Sequence, residues 1–369
     1  LAAVADAVLP AAGRREPDEV LLCHELLELA DPDVVRRVAD RFKIVYTPFH
    51  GAGWHLVPEA LHRLGMTQVI PVKEQMVLDG TFPTVKSPNP ENPEGFYLAV
   101  DLAKEVGSDL ILGTDPDSDR VGVMVRGADG EYHTITGNQM GVLLLDYIIT
   151  ARRRKGTLPE NAAAISTIVT SKMVRRICDV NDIHFDETFT GFKFMAEKLA
   201  EYQRDGSYQY VLAFEESYGY MLGDYVRDKD AVTACVMITE MAAYYFEQGM
   251  TLAQAMDALY EKFGYYRNEL QSVVLPGEDG MERMSAILTA LRAAPPHTLA
   301  GERVTRVRDY LGGLDSLPAS DVLELRTAHV KAIVRPSGTE ALIRVMVEAK
   351  TEQIALLAAE NLVNVIKML

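Results

Sequence analysis

Cysteine is scarce in this chain: Cys23, Cys178 and Cys235 are odd in number and far apart in 369 residues. Such spacing supports neither a disulfide framework nor a zinc cluster, and it fits a reducing compartment, expected to be the cytoplasm. Basic residues are also in short supply, 37 against 53 acidic ones, for a formal charge of −16. That balance argues against nonspecific nucleic-acid or acidic-membrane binding and leaves any anionic substrate to be held by a few placed cations. No run of about 18 apolar residues occurs, so no membrane-spanning helix is expected. The opening LAAVAD lacks a basic leader with a long apolar core, which speaks against secretion. It also lacks methionine and reads as the inside of a helix, so the natural beginning is expected elsewhere. Short repeats and low-complexity tracts are absent too.

What remains is an ordinary globular composition, 48% hydrophobic, long enough for two to four domains. Residues 1–38 read as a helical connector with a polar break at 10–17. From 42 the pattern is strand, Gly-containing turn (HGAG, 50–53), helix (57–64) and strand (68–71), which is βαβ grammar. The proline-dense SPNPENPE (87–94) is excluded from helix interiors and central strands and reads as a stiff loop. A helix at 96–106, a strand at 110–112, a second strand at 121–125 and an Asp129-Gly130 hairpin turn follow. Helix and strand alternate again: helix 138–153, strand 164–169, helix 171–179, strand 184–185, helix 194–202, strand 210–214. A loop at 215–230 precedes helices at 231–246 and 252–263. The last hundred residues change to extended runs at 267–274, 302–309, 322–325, 329–335 and 341–349, closed by an amphipathic helix. The expected fold is α/β: two three-layer α/β/α mixed-sheet domains (39–133 and 134–265) and a C-terminal α+β domain (266–369).

The string GTDPDSDR (113–120) carries the strongest chemical signal. Asp115, Asp117 and Asp119 would repel one another severely without a cation between them, and hard oxygen ligands select Mg²⁺ or a similar ion. Arg120 beside them points to a second anion arriving at the metal. An extended strand would hold Asp115 and Asp119 about 13 Å apart, at roughly 3.3 Å per residue, so the loop must curl. Pro116 assists by fixing one φ. An EF-hand counted from Asp115 fails, because Arg120 and Arg126 occupy the positions that need glycine and glutamate. A haloacid-dehalogenase-type phosphatase also places two aspartates two residues apart after an apolar strand, though Asp119 departs from its pattern. The plain alternative is a solvated acidic turn.

Three further loops offer sugar-phosphate chemistry. RPSGTE (335–340) combines the Arg335 fork, the Ser337 and Thr339 hydroxyls and N–H groups freed by Gly338, all suited to phosphate oxygens, or to an ordinary hairpin turn. FEESYG (214–219) brings Glu215 and Ser217 together after a strand, which fits vicinal hydroxyls or a solvated loop equally. Lys229 could lend a cation there or be one charge of an alternating surface run. Thr190, Gly191 and Lys193 precede a helix, where free N–H groups favour anions. His50 reads as a structural turn histidine, and the cysteines as core.

Taken together these loops resemble the α-phosphohexomutase superfamily, in order over about residues 40–350, with the phosphoglucomutase branch closest. GTDPDSDR is similar to its metal loop, TGFK and FEESYGY to its sugar loops, VRDKD to its lysine segment and RPSGTE to its phosphate loop. SPNPENPE resembles the branch of type-2 phosphoglucomutases and phosphopentomutases, and RPSGTEALIRVMVEA resembles phosphoglucosamine mutases. The resemblance implies four domains around a cleft, of which this chain would supply the last three. The missing first domain would carry the phosphorylated serine, typically in Ser-His-Asn-Pro, a string absent here; Ser87-Pro-Asn-Pro is a loop, and Ala341 replaces a frequent proline. It further implies an isomerase interconverting hexose 1-phosphate and 6-phosphate through glucose 1,6-bisphosphate, inactive as this fragment. Mg²⁺ would sit on Asp115, Asp117 and Asp119, with Arg120 and Lys229 catalytic. Glu215 and Ser217 would grip hydroxyls, Arg335, Ser337, Gly338 and Thr339 the distal phosphate, and Thr190, Gly191 and Lys229 the reacting side, with Lys193 a further substrate-binding candidate. Phosphopentomutase, phosphoglucosamine mutase and a non-catalytic sugar-phosphate binder stay open, as do monomer and homodimer.

Overall fold

The computed structural model describes residues 29–223, 225–315, 317–338 and 340–369. It divides into two compact units, Leu1–Thr170 with Val174–Leu259, and Ser171–Met173 with Tyr260–Leu369. Residues 1–28 of the expected connector, Cys23 among them, lie outside the described residues, as does Thr339.

The first unit opens with a short helix, α1 (Pro32–Arg36), capped by the Asp31 carboxylate. Val34, Val35 and Val38 are buried, so the described end of the expected helical connector packs into the core. Next come β1 (Ile44–Thr47), α2 (Gly53–Leu64), β2 (Val69–Pro71), α3 (Tyr97–Val106), β3 (Leu110–Thr114), β4 (Val121–Arg126) and β5 (Tyr132–Ile135). They form a sheet of order β2-β1-β3-β4-β5, parallel as far as β3 and antiparallel beyond. Every residue of β1 and β3 is buried, as parallel strands covered on both faces require. Against one face, α3 packs Ala99 and Ala103 with Phe96 onto Val45, Ile111 and Met124. Phe96 also meets Phe49 edge-on at 5.0 Å. A Cβ on Gly113 would stand 2.4 Å from the Phe96 ring, so only glycine fits beneath it.

A second sheet follows in the same unit, from α4 (Gly137–Lys155), β6 (Ala162–Thr167), α5 (Met173–Asn181), β7 (His184–Thr188), α6 (Phe192–Asp205), β8 (Gln209–Phe214) and β9 (Tyr220–Met221). Its order is β7-β6-β8-β9, with β9 alone antiparallel. Met195 and Leu199 of α6 cover Ala163, Ile165 and Ala213 on one face. On the other, α4 brings Gly141 so close to Phe214 that a Cβ would lie 1.9 Å from the ring. Helix α7 (Ala231–Glu247) then packs on α2, β3 and β4 of the first sheet, ahead of α8 (Leu252–Phe263). Both sheets are thus the middle layers of α/β/α arrangements.

The second unit is α+β. Its antiparallel sheet, in order β10-β16-β15-β14-β13, comprises β10 (Arg267–Val274), β13 (Arg306–Asp309), β14 (Leu323–Arg326), β15 (Val330–Pro336) and β16 (Leu342–Ala349). Two helices, α9 (Gly280–Ala293) and α10 (Glu352–Met368), cover one face, and β11 (Thr298–Leu299) pairs with β12 (Glu302–Arg303). Val330, Ala332, Val334, Ile343, Val345 and Val347 join Leu291, Leu362 and Ile366 in its core.

Several expected elements shift. The helix expected at 57–64 starts at Gly53, because the HGAG turn feeds directly into it. The strand expected at 164–169 ends at Thr167, whose N–H is taken by Thr170 Oγ1 at 2.7 Å, turning the chain out of the sheet. The loop expected at 215–230 contains β9, and the run at 302–309 breaks in two between β12 and β13. Helix α9 was not anticipated; Met284, Ile287, Leu288 and Leu291 keep helical spacing, but Asp279 makes no side-chain cap. Strand β5 runs to Ile135, two residues past the expected domain limit, because Ile135 pairs with Val123. Among the described residues no helix is long and apolar enough to cross a membrane.

Candidate functional site

Strand β3 ends at Thr114 and the chain curls at once. Ser118 takes a φ of +57°, and its N–H donates to the Asp115 carbonyl at 3.0 Å. The curl brings one carboxylate oxygen from each of Asp115, Asp117 and Asp119 within 4.8 Å of the others. Asp115, only 1% exposed, anchors the turn: Oδ1 accepts the N–H groups of Asp119 (3.0 Å) and Arg120 (2.9 Å), and Oδ2 accepts Arg120 Nε at 2.8 Å. Burial pushes its carboxyl up to about 7, and the charges of Asp119 and Asp117 add to the shift against the backbone and Arg120 hydrogen bonds.

Glycines seat the loop on the fold. Ala52 donates its N–H to the Pro116 carbonyl at 2.7 Å, and a Cβ on Gly51 would lie 2.3 Å from Pro116 Cα. Gly53 sits equally close beneath Tyr46, Thr114 and Ser118. The His50 imidazole is spoken for, lying 2.9 Å from both the Val77 carbonyl and Thr84 Oγ1, a structural arrangement.

The sugar-loop candidates reach the same place. Arg120 bridges to Gly219, Val121 donates its N–H to the Tyr218 carbonyl at 3.1 Å, and Ala231 donates to Ser118 at 3.1 Å. Lys229 Nζ lies 2.5 Å from Asp119 Oδ2. Burial works to lower the Lys229 pKa, but the Asp119 carboxylate prevails and the ammonium is held above its ordinary range. Behind it, buried Glu215 accepts the Gly191 N–H on one oxygen and the Ser217 hydroxyl on the other, the latter at 3.3 Å. Gly191, at φ +117°, occupies backbone space that a side chain rarely enters. Thr190 is half-buried beside it, while Lys193 is exposed with its ammonium 4.7 Å from the Phe194 ring centre, outside the Glu215 network. One partner was missed in the sequence: Glu91 of the proline-rich loop pairs with Arg120 Nη1 at 3.2 Å.

Does a cation fit? Asp119 Oδ1 is buried and accepts no hydrogen bond, since Arg120 Nε stops 3.7 Å away. Among the described residues three aspartates face two cations, Arg120 and Lys229, and Arg120 is shared with Glu91, so negative charge is left over in a loop whose oxygens converge. Hard, close-set carboxylate oxygens with an unsatisfied acceptor are the donor set of Mg²⁺.

In the second unit, the hairpin between β15 and β16 is closed by Ser337 N–H donating to the Leu342 carbonyl at 2.9 Å. Arg335 stands directly opposite Arg344 in register. Side chains alternate along strands, so both arginines lie on the face opposite the helices. Like charges directly opposed across a strand pair are destabilising. Ser337 is buried and Gly338 exposed at this end. Arg344 was missed, though strand parity from Arg335 could have found it.

Residues 24–130 match the sequence signature described as "Phosphoglucomutase/phosphomannomutase, alpha/beta/alpha domain II", residues 136–263 domain III, and residues 290–365 the C-terminal domain. The chain belongs to the phosphoglucomutase/phosphomannomutase family, within the α-phosphohexomutase superfamily. These 369 residues match the second, third and C-terminal domains of that family. A family member, the phosphoglucomutase of Staphylococcus aureus (strain USA300), is 34% identical over 319 residues, which is 84% of this chain and 57% of that protein. The chain therefore spans little more than half the length of such relatives. Its fold is shared with a phosphoglucomutase/phosphomannomutase family protein of Burkholderia thailandensis, at TM-score 0.69 and 15% identity over 99% of this chain and 68% of that one. An Aspergillus fumigatus N-acetylphosphoglucosamine mutase, solved with GlcNAc-6P and magnesium, gives TM-score 0.59 at 13% identity, covering 96% and 66%.

Proposed function

We propose that this chain supplies the metal, sugar and distal-phosphate parts of an Mg²⁺-dependent phosphohexomutase that interconverts hexose 1-phosphate and hexose 6-phosphate. The observation that carries the reading is the converging aspartate loop with its unsatisfied Asp119 oxygen, joined to the Glu215 segment through Gly219, which bridges to Arg120 and whose carbonyl accepts the Glu215 N–H. The relative solved with both GlcNAc-6P and magnesium supports the same pairing of ligands.

In this reading Asp115, Asp117 and Asp119 hold Mg²⁺, which when bound offsets charge on the transferring phosphoryl group. Arg120 and Lys229 are the catalytic cations, which offset charge on the phosphoryl oxygens. Glu215 and Ser217 accept and donate hydrogen bonds with adjacent sugar hydroxyls in either orientation. Thr190, Gly191 and Lys193 line the reacting side. Arg335, Ser337, Gly338 and Thr339, joined by Arg344, hold the phosphate that does not react. Anchoring that remote group makes the transfer effectively intramolecular, a gain of up to about 7–11 kcal/mol for well-oriented partners. The phosphoserine comes from the family's first domain, glucose 1,6-bisphosphate is the intermediate, and the enzyme works in the cytoplasm, where the buried free thiols of Cys178 and Cys235 stay reduced.

The test has two arms on the 369-residue chain. Calorimetric Mg²⁺ titration should show one site that Asp117→Asn weakens at least tenfold; equal affinity in the variant refutes the carboxylate cage. A coupled assay from glucose 1-phosphate, with a trace of the bisphosphate, should show no steady turnover by this chain. Sustained glucose 6-phosphate formation would mean that the nucleophile lies within these residues.

A further inference from the structure

At the other end of the same strands lies a cavity of about 570 Å³ that the proposed function leaves unused. Its walls include Arg41, Phe42, Asp109, Arg126, Phe246 and Met250, all of the first unit. Leu110, the first residue of β3, and Arg126, the last of β4, open onto it, whereas the aspartate loop joins the opposite ends of these strands. Five strand residues separate the two places, roughly 16 Å at 3.3 Å per residue. The volume falls within the range of small-molecule sites, about 300–1,000 Å³.

The chemistry of the wall is specific. Phe42 and Phe246 meet at 5.0 Å and, with Met250 and Leu252, provide an apolar aromatic side. The Arg41 guanidinium lies 5.3 Å from the Phe246 ring centre, which fixes it at the edge of that side. Among the described residues no carboxylate lies within 4 Å of Arg41 or Arg126; the charge of Glu247 acts on Arg41, and that of the wall carboxylate Asp109 on Arg126. Asp109 Oδ2 accepts the Lys43 N–H at 2.8 Å, and among the described residues no donor reaches Oδ1. Aromatic surface, a carboxylate acceptor and two guanidinium groups therefore surround one space.

We propose that this cavity binds a nucleoside monophosphate. The base lies against Phe246 and Met250, a ribose hydroxyl donates to Asp109 Oδ1, and the phosphate takes the Arg41 and Arg126 guanidinium groups in charge-assisted hydrogen bonds. The inference stands apart from the mutase reading, since it uses none of the same residues.

The experiment is calorimetric titration of the 369-residue chain in Mg²⁺-free buffer with AMP and UMP, then adenosine and inorganic phosphate. A single site is expected for at least one nucleotide with a dissociation constant below 1 mM, and at least tenfold weaker binding of adenosine and of phosphate. Arg126 is exposed, so Arg126→Ala should keep the far-ultraviolet circular dichroism of the parent and weaken nucleotide binding at least tenfold. Arg335→Ala should leave it unchanged. No nucleotide binding up to 10 mM, phosphate binding as tightly as the nucleotides, or loss in Arg335→Ala with retention in Arg126→Ala would each overturn the proposal.

Discussion

The aspartate loop and the RPSGTE hairpin are both candidate ligand-binding turns at the ends of strands, one for a cation and one for an anion, and they are built in opposite ways. The first is sunk into its unit: Asp115 is buried, the backbone of Pro116 presses on Gly51, and hydrogen bonds tie 115–121 to Ala52, Glu91, Tyr218 and Ala231. The second is a surface hairpin whose Gly338 has nothing within 4 Å of where a Cβ would be. A cation site gathering three carboxylates must be held together by the surrounding structure, because the ligands repel until the ion arrives. A phosphate cradle made of arginine forks and N–H groups needs far less enforcement, since long guanidinium side chains reach a ligand from a flexible base. The difference teaches where each site is vulnerable, in the backbone for the first and in the side chains for the second.

The largest effect should come from crowding the rigid turn. Gly51→Ala places a methyl 2.3 Å from Pro116 Cα and 2.6 Å from its carbonyl oxygen, atoms that cannot rotate away. A loss of about 1–3 kcal/mol in urea unfolding is expected, typical of overpacking, together with weaker Mg²⁺ binding as Pro116 shifts. Unaltered stability and affinity would show that the loop is as adaptable as the hairpin, and the contrast would fail.

The next effect is a pH dependence that the aspartate loop should show and the hairpin should not. Asp115 has an ordinary value of 3.8, raised in the fold to about 7 by burial and by Asp119 and Asp117. Between about 4 and 7 the folded chain therefore holds a proton that the unfolded chain has released, so metal-free stability should fall as pH rises through that window. Ligation needs the deprotonated carboxylate, so apparent Mg²⁺ affinity should drop by up to tenfold per pH unit below about 7 and level off above it. Guanidinium groups keep their charge over this range, and sulfate binding by the hairpin should be flat from pH 5 to 8. Calorimetry at four pH values reads both slopes, and equal slopes would erase the distinction.

How much of this was legible beforehand follows from the same contrast. The convergence of the three aspartates was readable because one curled turn supplies all three carboxylates, and the RPSGTE hairpin because the string lies between two strand-like runs. Glu91 with Arg120 and Lys229 with Asp119 were not read as pairs, for they lie far apart in sequence and meet only through folding. Alternating apolar runs located most of the α/β elements, but their ends were set by contacts the runs do not contain. Thr170 closing β6 and Gly53 opening α2 under Tyr46 are examples. Helix α9 escaped because its start has no side-chain cap to announce it.

A smaller effect separates charge from packing inside the loop. Asp117 is exposed, and in the metal-free chain it adds mainly repulsion to Asp115. Asp117→Asn should leave the metal-free chain as stable as the parent or more stable by up to about 0.5 kcal/mol, within the usual range of surface substitutions. Thermal unfolding without Mg²⁺ and with saturating Mg²⁺ checks this: the parent should gain from the ion and the variant much less. A variant clearly less stable without metal would mean that the third carboxylate holds the loop together and does not strain it.

The smallest effect belongs to the hairpin. Gly338→Ala meets no atom within 4 Å and needs no left-handed backbone, so its stability should change by no more than about 0.5 kcal/mol. A slight gain is the expected sign, because alanine narrows the unfolded ensemble where the native backbone already suits it. If that methyl weakens sulfate binding at least tenfold while unfolding is unchanged, the backbone at 338 itself approaches the anion. If sulfate binding also stays the same, recognition rests on the arginine and serine groups of the turn, as expected for a cradle that works through its side chains.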